Sequence, residues 1–187
     1  VDEDTLNISI KSLKNKINKN TKALISVSIY GLPPDYDEIL KILRKKNISL
    51  IEDNAECYLG RYKRKVAGNF GKFSVFSLQS SKHLTSGEGG ILTTNSKRLF
   101  KLAKMYSNLG YNPSKTSYKY KRLSLQNPNY KRHYLEGNNY RLSELNASVA
   151  YSQTLRIKEL INQRKKVGNK FQKVLKKFKN FKTQNID

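Results

Sequence analysis

The sequence predicts an α/β fold, a mostly parallel sheet flanked by helices, with a helical C-terminal part. Three observations predict it. A strand, a helix and a second strand follow one another within about thirty residues, the length of a parallel βαβ unit. Two further short β-rich runs follow at 72–78 and 89–94. From Arg141 onward, apolar residues recur at helical spacing.

The elements follow in order. "ALISVSIYG" (23–31) is a β-rich run that ends at Gly31. Pro33 and Pro34 stop it, and Asp35 is placed to cap a helix whose apolar face is Ile39, Leu40, Ile42 and Leu43. "ISLIEDNAE" (48–56) is a second strand that runs into acids. In "GRYKRKVAG" (60–68) the charges read as exposed. "KFSVFSL" and "GGILTT" are the third and fourth strands. Ser96 is placed to cap the helix "KRLFKLAKMYSNLG", which closes at Gly110.

Residues 111–139 are rich in Tyr, Lys, Asn and Pro and lack periodicity. A loop of that length within a domain is usually functional or disordered. Beyond it, Leu142, Leu145, Val149, Leu155, Leu160 and Ile161 have helical spacing. The basic tail reads as an amphipathic helix with Ile157, Leu160, Ile161, Val167, Phe171, Val174 and Leu175 as its apolar stripe. A packed helix with a solvated lysine face is favoured there over membrane or nucleic-acid contact.

The chain has 187 residues, enough for one sizeable core, but only 37 % are apolar. Lys and Arg number 37 against 14 acids, a formal net charge of +23. Such a balance suits a nucleic-acid or anionic partner. The basic residues are spread along the chain, however, which favours drift of solvated positions in an AT-rich genome. The single cysteine, Cys57, excludes an internal disulfide and fits a reducing, cytoplasmic setting. No apolar run reaches membrane-spanning length. His83 and His133 have no ligand spacing with Cys57, so no metal site is expected. No patterned base accompanies Cys57, so a structural thiol is favoured over a nucleophile. The opening "VDEDTLN" has no Met and sets the expectation of a fragment, incomplete at both ends.

Two chemistry-bearing residues follow strands. In open parallel sheets, ligands bind at the carboxyl ends of strands. Asp53 stands at such an end, and Lys82, in "SSKHLTSGEGG", follows the third strand. An amine and a carboxylate in one crevice suit pyridoxal phosphate (PLP), which takes a lysine for its Schiff base and an acid against its pyridine nitrogen. Ser77, Ser80, Ser81, Thr85 and Ser86 offer donors for phosphate. Spacing alone leaves the plain alternative open, with Asp53 as a helix cap and Lys82 as a surface lysine.

The strings "TKALISVSIYGLPPDYDEI", "LIEDNAECYLGRYKRKVAGNFGKFSVFSLQSSKHLTSGEGGILTTN" and "GNNYRLSELNASVAYSQTLRIKELINQR" resemble, in this order and after "VDEDTLN", the DegT/DnrJ-type sugar aminotransferases. The resemblance covers essentially the whole chain. It implies a three-layer, fold type I PLP-transferase large domain over 1–150, with 151–187 as the connecting helix toward a smaller C-terminal domain. It implies PLP as cofactor and amino transfer from a glutamate-type donor to a nucleotide-linked keto-deoxy sugar, for polysaccharide or glycoconjugate synthesis.

The resemblance also assigns roles. Lys82 matches the lysine that forms the Schiff base and moves the substrate proton. Asp53 matches the acid against the pyridinium nitrogen. Glu56 matches a position, commonly Gln, that contacts the ring hydroxyl. Ser77 matches a phosphate-binding hydroxyl. Asn139, in "GNNYR", matches an asparagine that reaches the partner's phosphate across a homodimer interface. Family members with His in place of the lysine are dehydratases, so Lys82 argues for transamination. Ser28 departs from the His common in the corresponding "VH.YG" string. The loop carrying Tyr130, Lys131, Arg132 and His133 is placed to meet a diphosphate or a base, or is simply solvated. The resemblance further implies a Gly-Thr phosphate loop and a ring-stacking residue that do not occur here, so the isolated chain is expected to be inactive. Two rival readings remain: a basic nucleic-acid-binding α/β module, and a PLP or sugar-nucleotide binder without turnover.

Overall fold

The computed structural model describes residues 1–112, 127–129 and 131–185. Two compact units divide the chain: Val1–Thr93 with Glu144–Asp187, and Thr94–Ser143.

The first unit is built on a four-stranded sheet in the order β1-β2-β5-β6. Strands β1 (Ala23–Val27) and β2 (Ser49–Asp53) run parallel, with Val27 opposite Asp53. Strand β5 (Phe73–Ser77) continues parallel, with Asp53 opposite Val75. Strand β6 (Gly90–Thr93) closes the sheet antiparallel, with Phe76 opposite Ile91. The sheet is therefore mostly parallel, as the βαβ pattern requires. Between β2 and β5 lies the hairpin of β3 (Arg61–Tyr62) and β4 (Lys65–Val66).

Helix α2 (Tyr36–Lys45) crosses from β1 to β2. Asp35 caps it by accepting the Glu38 N–H at 3.1 Å, as the sequence predicts. Its acids stand in the first turn and Arg44 and Lys45 in the last, matching the helix dipole. Tyr36, Ile39, Ile42 and Leu43 are buried together with Leu13, Ile48 and Leu50. Each such side chain contributes about 1.5–3 kcal/mol of burial. Leu13 comes from α1 (Ile10–Lys16), a short helix absent from the sequence reading. Seven residues capped by Ser9 give little periodicity to read.

The first strand is shorter than predicted. It ends at Val27, and Ile29–Gly31 forms a 3-10 turn in which Tyr30 is left-handed, at φ 51° and ψ 25°. The predicted helical C-terminal part is two helices, α4 (Glu144–Leu155) and α5 (Ile157–Leu175), broken at Arg156. The break brings Ala150 and Ile161 into one cluster with Tyr58, Leu78 and Leu84. The residues at helical spacing therefore do not bury one stripe: Leu145 and Leu155 are exposed. In α5, Ile157, Leu160 and Ile161 pack while Val167, Phe171 and Val174 are exposed. The expected packed stripe thus holds only at the start of the helix. No helix among the described residues is long and apolar enough to cross a membrane.

In the second unit, α3 (Lys97–Tyr106) is capped by Ser96, which accepts the Leu99 N–H at 3.3 Å. It stops four residues short of Gly110. That glycine, at φ 77°, donates back to the Met105 carbonyl at 2.8 Å. Bridges Asn108–Asn139 and Tyr111–His133 tie the chain after the helix to the segment before α4.

Candidate active site

The site begins at the carboxyl ends of β2 and β5. Register partners in a parallel pair share a face, and side chains alternate along each strand. Asp53 therefore shares a face with Val75, and Ser77, two residues on, lies on that face as well. Glu52 points to the opposite face and is fully buried. Its carboxylate accepts N–H bonds from Gly68 at 2.5 Å, Phe70 at 2.7 Å and Gly71 at 2.6 Å. One strand thus ends in two acids with opposite tasks. Glu52 ties the 68–71 loop to the sheet, and Asp53 stays only partly buried.

Asp53 Oδ1 accepts the Ala55 N–H at 3.1 Å. Among the described residues its Oδ2 has no hydrogen-bond partner. Asn54, between this acid and the turn, is fully buried. It accepts from Ser28 Oγ at 2.7 Å and donates to Ser74 Oγ at 2.8 Å. Ser28, the departure from the commoner His, is thus a structural hydroxyl. It also lies 3.3 Å from the Tyr36 hydroxyl.

After β5 the chain is pinned by Leu78 and Leu84, both buried in one cluster. The short loop between them carries Lys82. The Lys82 N–H donates to the Gln79 carbonyl at 3.0 Å, and Arg164 of α5 donates to the Lys82 carbonyl at 3.3 Å. The amine lies 3.3 Å from Glu56 Oε1, with the two side chains 23 % and 31 % exposed. Lys82 is therefore not one of the solvated lysines. Glu56 Oε2 accepts the Tyr30 N–H at 3.0 Å.

The hydroxyls sort themselves. Ser86 is buried and donates to the Glu88 carbonyl at 2.9 Å, and Thr85 donates to the Leu78 carbonyl at 3.2 Å. Both shape the Gly-Glu-Gly-Gly turn, where Gly87 and Gly89 take φ of 84° and 141°. They are committed to the fold, not to a ligand. Ser77 Oγ accepts the Gln79 N–H at 3.2 Å and retains its own proton for an anion. Ser80 and Ser81 are both bonded to the Gln79 amide, at 2.8 and 2.6 Å.

The sequence reading weighed His83 only as a metal ligand and did not single out Tyr58. Burial, then the charge of Arg164, holds the His83 imidazole below its ordinary pKa, and its Nδ1 is buried without a partner among the described residues. The Tyr58 hydroxyl donates to the Ser77 carbonyl, steadying the end of β5. Cys57 is buried, donates to the Gly31 carbonyl at 3.3 Å and has its thiol pushed up to about 11 by burial, as befits a structural thiol. Among the described residues no cluster could hold a metal ion.

Asn139 belongs to the second unit, where its Oδ1 accepts from Arg141 Nε at 2.9 Å. In the same unit Lys131, His133 and Tyr134 line an open cavity of about 570 Å³. Tyr130 lies outside the described residues.

The whole chain, residues 1–187, matches the model of the DegT/DnrJ/EryC1/StrS aminotransferase family. The chain belongs to this family. Its curated relatives include a GDP-perosamine synthase of Escherichia coli O157:H7, 29% identical over 172 residues, which cover 92% of this chain and 43% of the relative. A GDP-4-keto-6-deoxy-D-mannose 3-dehydratase of Escherichia coli O55:H7 is 31% identical over 182 residues, 96% of this chain and 46% of that one. A crystal structure of GDP-4-keto-6-deoxymannose-3-dehydratase with a trapped PLP-glutamate geminal diamine superimposes with a TM-score of 0.87. It is 29% identical and covers 99% of this chain and 49% of its own. The resemblance drawn from the motifs is borne out, and so is the α/β fold it implies. The chain spans less than half the length of these curated relatives.

Proposed function

We propose that this chain is the cofactor-binding part of a PLP-dependent aminotransferase that acts on a nucleotide-linked keto-deoxy sugar. The observation that carries the reading is the half-buried Lys82 amine, 3.3 Å from Glu56, in a chain of this family. The donor set fits PLP. Asp53, with one oxygen unpartnered among the described residues, and the Ser77 hydroxyl end adjacent parallel strands, and the Lys82 amine follows the second of them. When bound, PLP supplies an electron sink for the bond broken at the substrate carbon.

The chain's own residues do the rest. Lys82 holds the cofactor and moves a proton at its Nζ. Asp53 would pair with the pyridine nitrogen and keep that atom protonated. Glu56 meets the ring hydroxyl. Ser77 donates to the phosphate, with Ser80 and Ser81 beside it. Asn139 acts in trans, on the phosphate held by a second copy. The exposed apolar residues Leu145, Val149, Tyr151 and Leu155 of α4 support a homodimer.

The amino donor is a glutamate-type compound, as the PLP-glutamate species in a relative's crystal suggests. The names of the relatives favour a GDP-linked sugar, and the product serves surface polysaccharide or a glycoconjugate. Lys82 favours amino transfer over the dehydratase reaction that one relative carries. Residues 1–150 form part of the large domain. Residues 151–187 lead toward a smaller domain, a reading supported by the exposed stripe of α5. The protein works in the cytoplasm.

The test is transfer of ¹⁵N from labelled glutamate to a GDP-linked 4-keto-6-deoxy sugar, using the gene's complete product. Labelled amino sugar that disappears in Lys82→Ala is expected. A product that has lost oxygen and gained no nitrogen would assign the dehydratase chemistry instead.

A further inference from the structure

Glu56 divides its carboxylate between two donors. Oε2 takes the Tyr30 N–H at 3.0 Å, and Oε1 takes the Lys82 amine at 3.3 Å. The first bond depends on an uncommon backbone state. Tyr30 is a non-glycine residue at φ 51°, in the left-handed region. Such strain persists only where the surroundings impose it. Here they do so at several points. The Ser28 N–H donates to the Asp53 carbonyl at 2.9 Å, Ser28 Oγ to Asn54 at 2.7 Å, and Cys57 Sγ to the Gly31 carbonyl at 3.3 Å. A Cβ at Gly31 would lie 3.2 Å from the Glu56 carbonyl, so the two turns are in close contact. The result is a carboxylate fixed at one oxygen and open to the amine at the other.

The other charged groups around Lys82 do not compete for its proton. Arg164, from α5, is a cation and donates to the Lys82 carbonyl. His83 is held toward its neutral form by burial and by Arg164. Among the described residues, the carboxylate paired with the amine is Glu56.

We propose that Glu56, fixed by the Tyr30 N–H, is the group that holds the Lys82 proton and accepts it when the amine reacts. This rests on the reading of Lys82 as the cofactor lysine and adds a second task to the ring-hydroxyl contact implied for Glu56. The step balances. The N–H bond breaks, the proton passes to Oε1 and the electron pair stays on Nζ. That pair bonds a carbonyl carbon, and the carbonyl oxygen leaves as water formed with the two protons remaining on nitrogen. Glu56 then returns its proton to the nitrogen.

The test needs no turnover. Competitive labelling with acetic anhydride, read peptide by peptide, gives the reactivity of Lys82 relative to exposed lysines such as Lys179. Without the carboxylate oxygen that lies 3.3 Å from the amine, Lys82 in Glu56→Gln should be labelled faster relative to Lys179 than in the unaltered protein. Tyr30→Gly keeps the N–H and removes the strain, and should leave Lys82 as in the unaltered protein. Borohydride capture with PLP is run in parallel on both proteins. Unchanged relative labelling of Lys82 in Glu56→Gln would overturn the proposal, even if PLP is captured. The labelling change without any capture of PLP on Lys82 would uphold the pair and refute the cofactor reading.

Discussion

Removing the Glu52 carboxylate should loosen the floor of the site more than any surface change. The side chain is fully buried and accepts three backbone N–H bonds, from Gly68, Phe70 and Gly71, at 2.5–2.7 Å. Hydrogen bonds to a charged group contribute about 1.5–3 kcal/mol each, and an orphaned buried donor costs about 1–3 kcal/mol. These contributions do not add fully, so Glu52→Ala should cost about 4 kcal/mol, within the range for breaking a buried charged network. That is a large share of a typical stability of about 5–15 kcal/mol. With a urea slope of about 2 kcal/mol/M, the unfolding midpoint should fall by about 2 M. Glu52→Gln keeps the shape but turns an amide toward N–H donors, and should lose roughly half as much. Urea unfolding followed by far-UV circular dichroism measures both. A midpoint within about 0.3 M of the parent, or about 0.6 kcal/mol at that slope, would refute the reasoning. It would mean that the 68–71 loop is held by its other contacts.

Other changes have equally definite outcomes. Asp35→Ala removes the cap of α2 and the acceptor of the Tyr62 hydroxyl at 2.6 Å, and should cost about 1–2 kcal/mol in the same assay. Burial opposes ionisation of Asp35, but the Tyr62 hydroxyl and the Glu38 and Asp37 N–H groups outweigh it and hold its pKa below the ordinary value. A depressed carboxylate stabilises fully above the unfolded pKa, about 3.9, and loses that contribution as the pH falls through the folded value. The acid-induced drop in the midpoint should therefore be shallower in Asp35→Asn. Gly71→Ala would place a Cβ 2.8 Å from the Leu50 carbonyl and 2.9 Å from that of Phe73, and should destabilise by about 1–3 kcal/mol. The Cys57 thiol, pushed up to about 11 by burial, should resist alkylation at pH 8 until urea unfolds the chain. Alkylation of the native protein at the unfolded rate would contradict its buried position.

What was legible in the sequence was local. The strands at 23, 48, 72 and 89 carry their own β-rich runs, and Asp35 and Ser96 announce the helices they cap. Lys82 and Asp53 stood out because each follows a strand, and Glu56 through the family resemblance alone. What the sequence hid depends on distant partners or on dihedral angles. Tyr30 looks like one more strand residue, yet it lies in the turn after β1 with a left-handed backbone and aims an N–H at Glu56. Glu52 reads as one acid of a pair, and only the return of residues 68–71 reveals it as a buried anchor. Arg164 touches the Lys82 carbonyl from 82 positions away. The C-terminal apolar spacing misled because a break at Arg156 sends part of it inward and leaves part exposed.

The central claim is that Lys82 is the residue that binds the cofactor. Incubation of the gene's complete product with PLP, reduction with borohydride and peptide mapping test it most directly. The account predicts one reduced pyridoxyl group on Lys82, absent in Lys82→Ala. A folded protein that carries no label on Lys82 would contradict it.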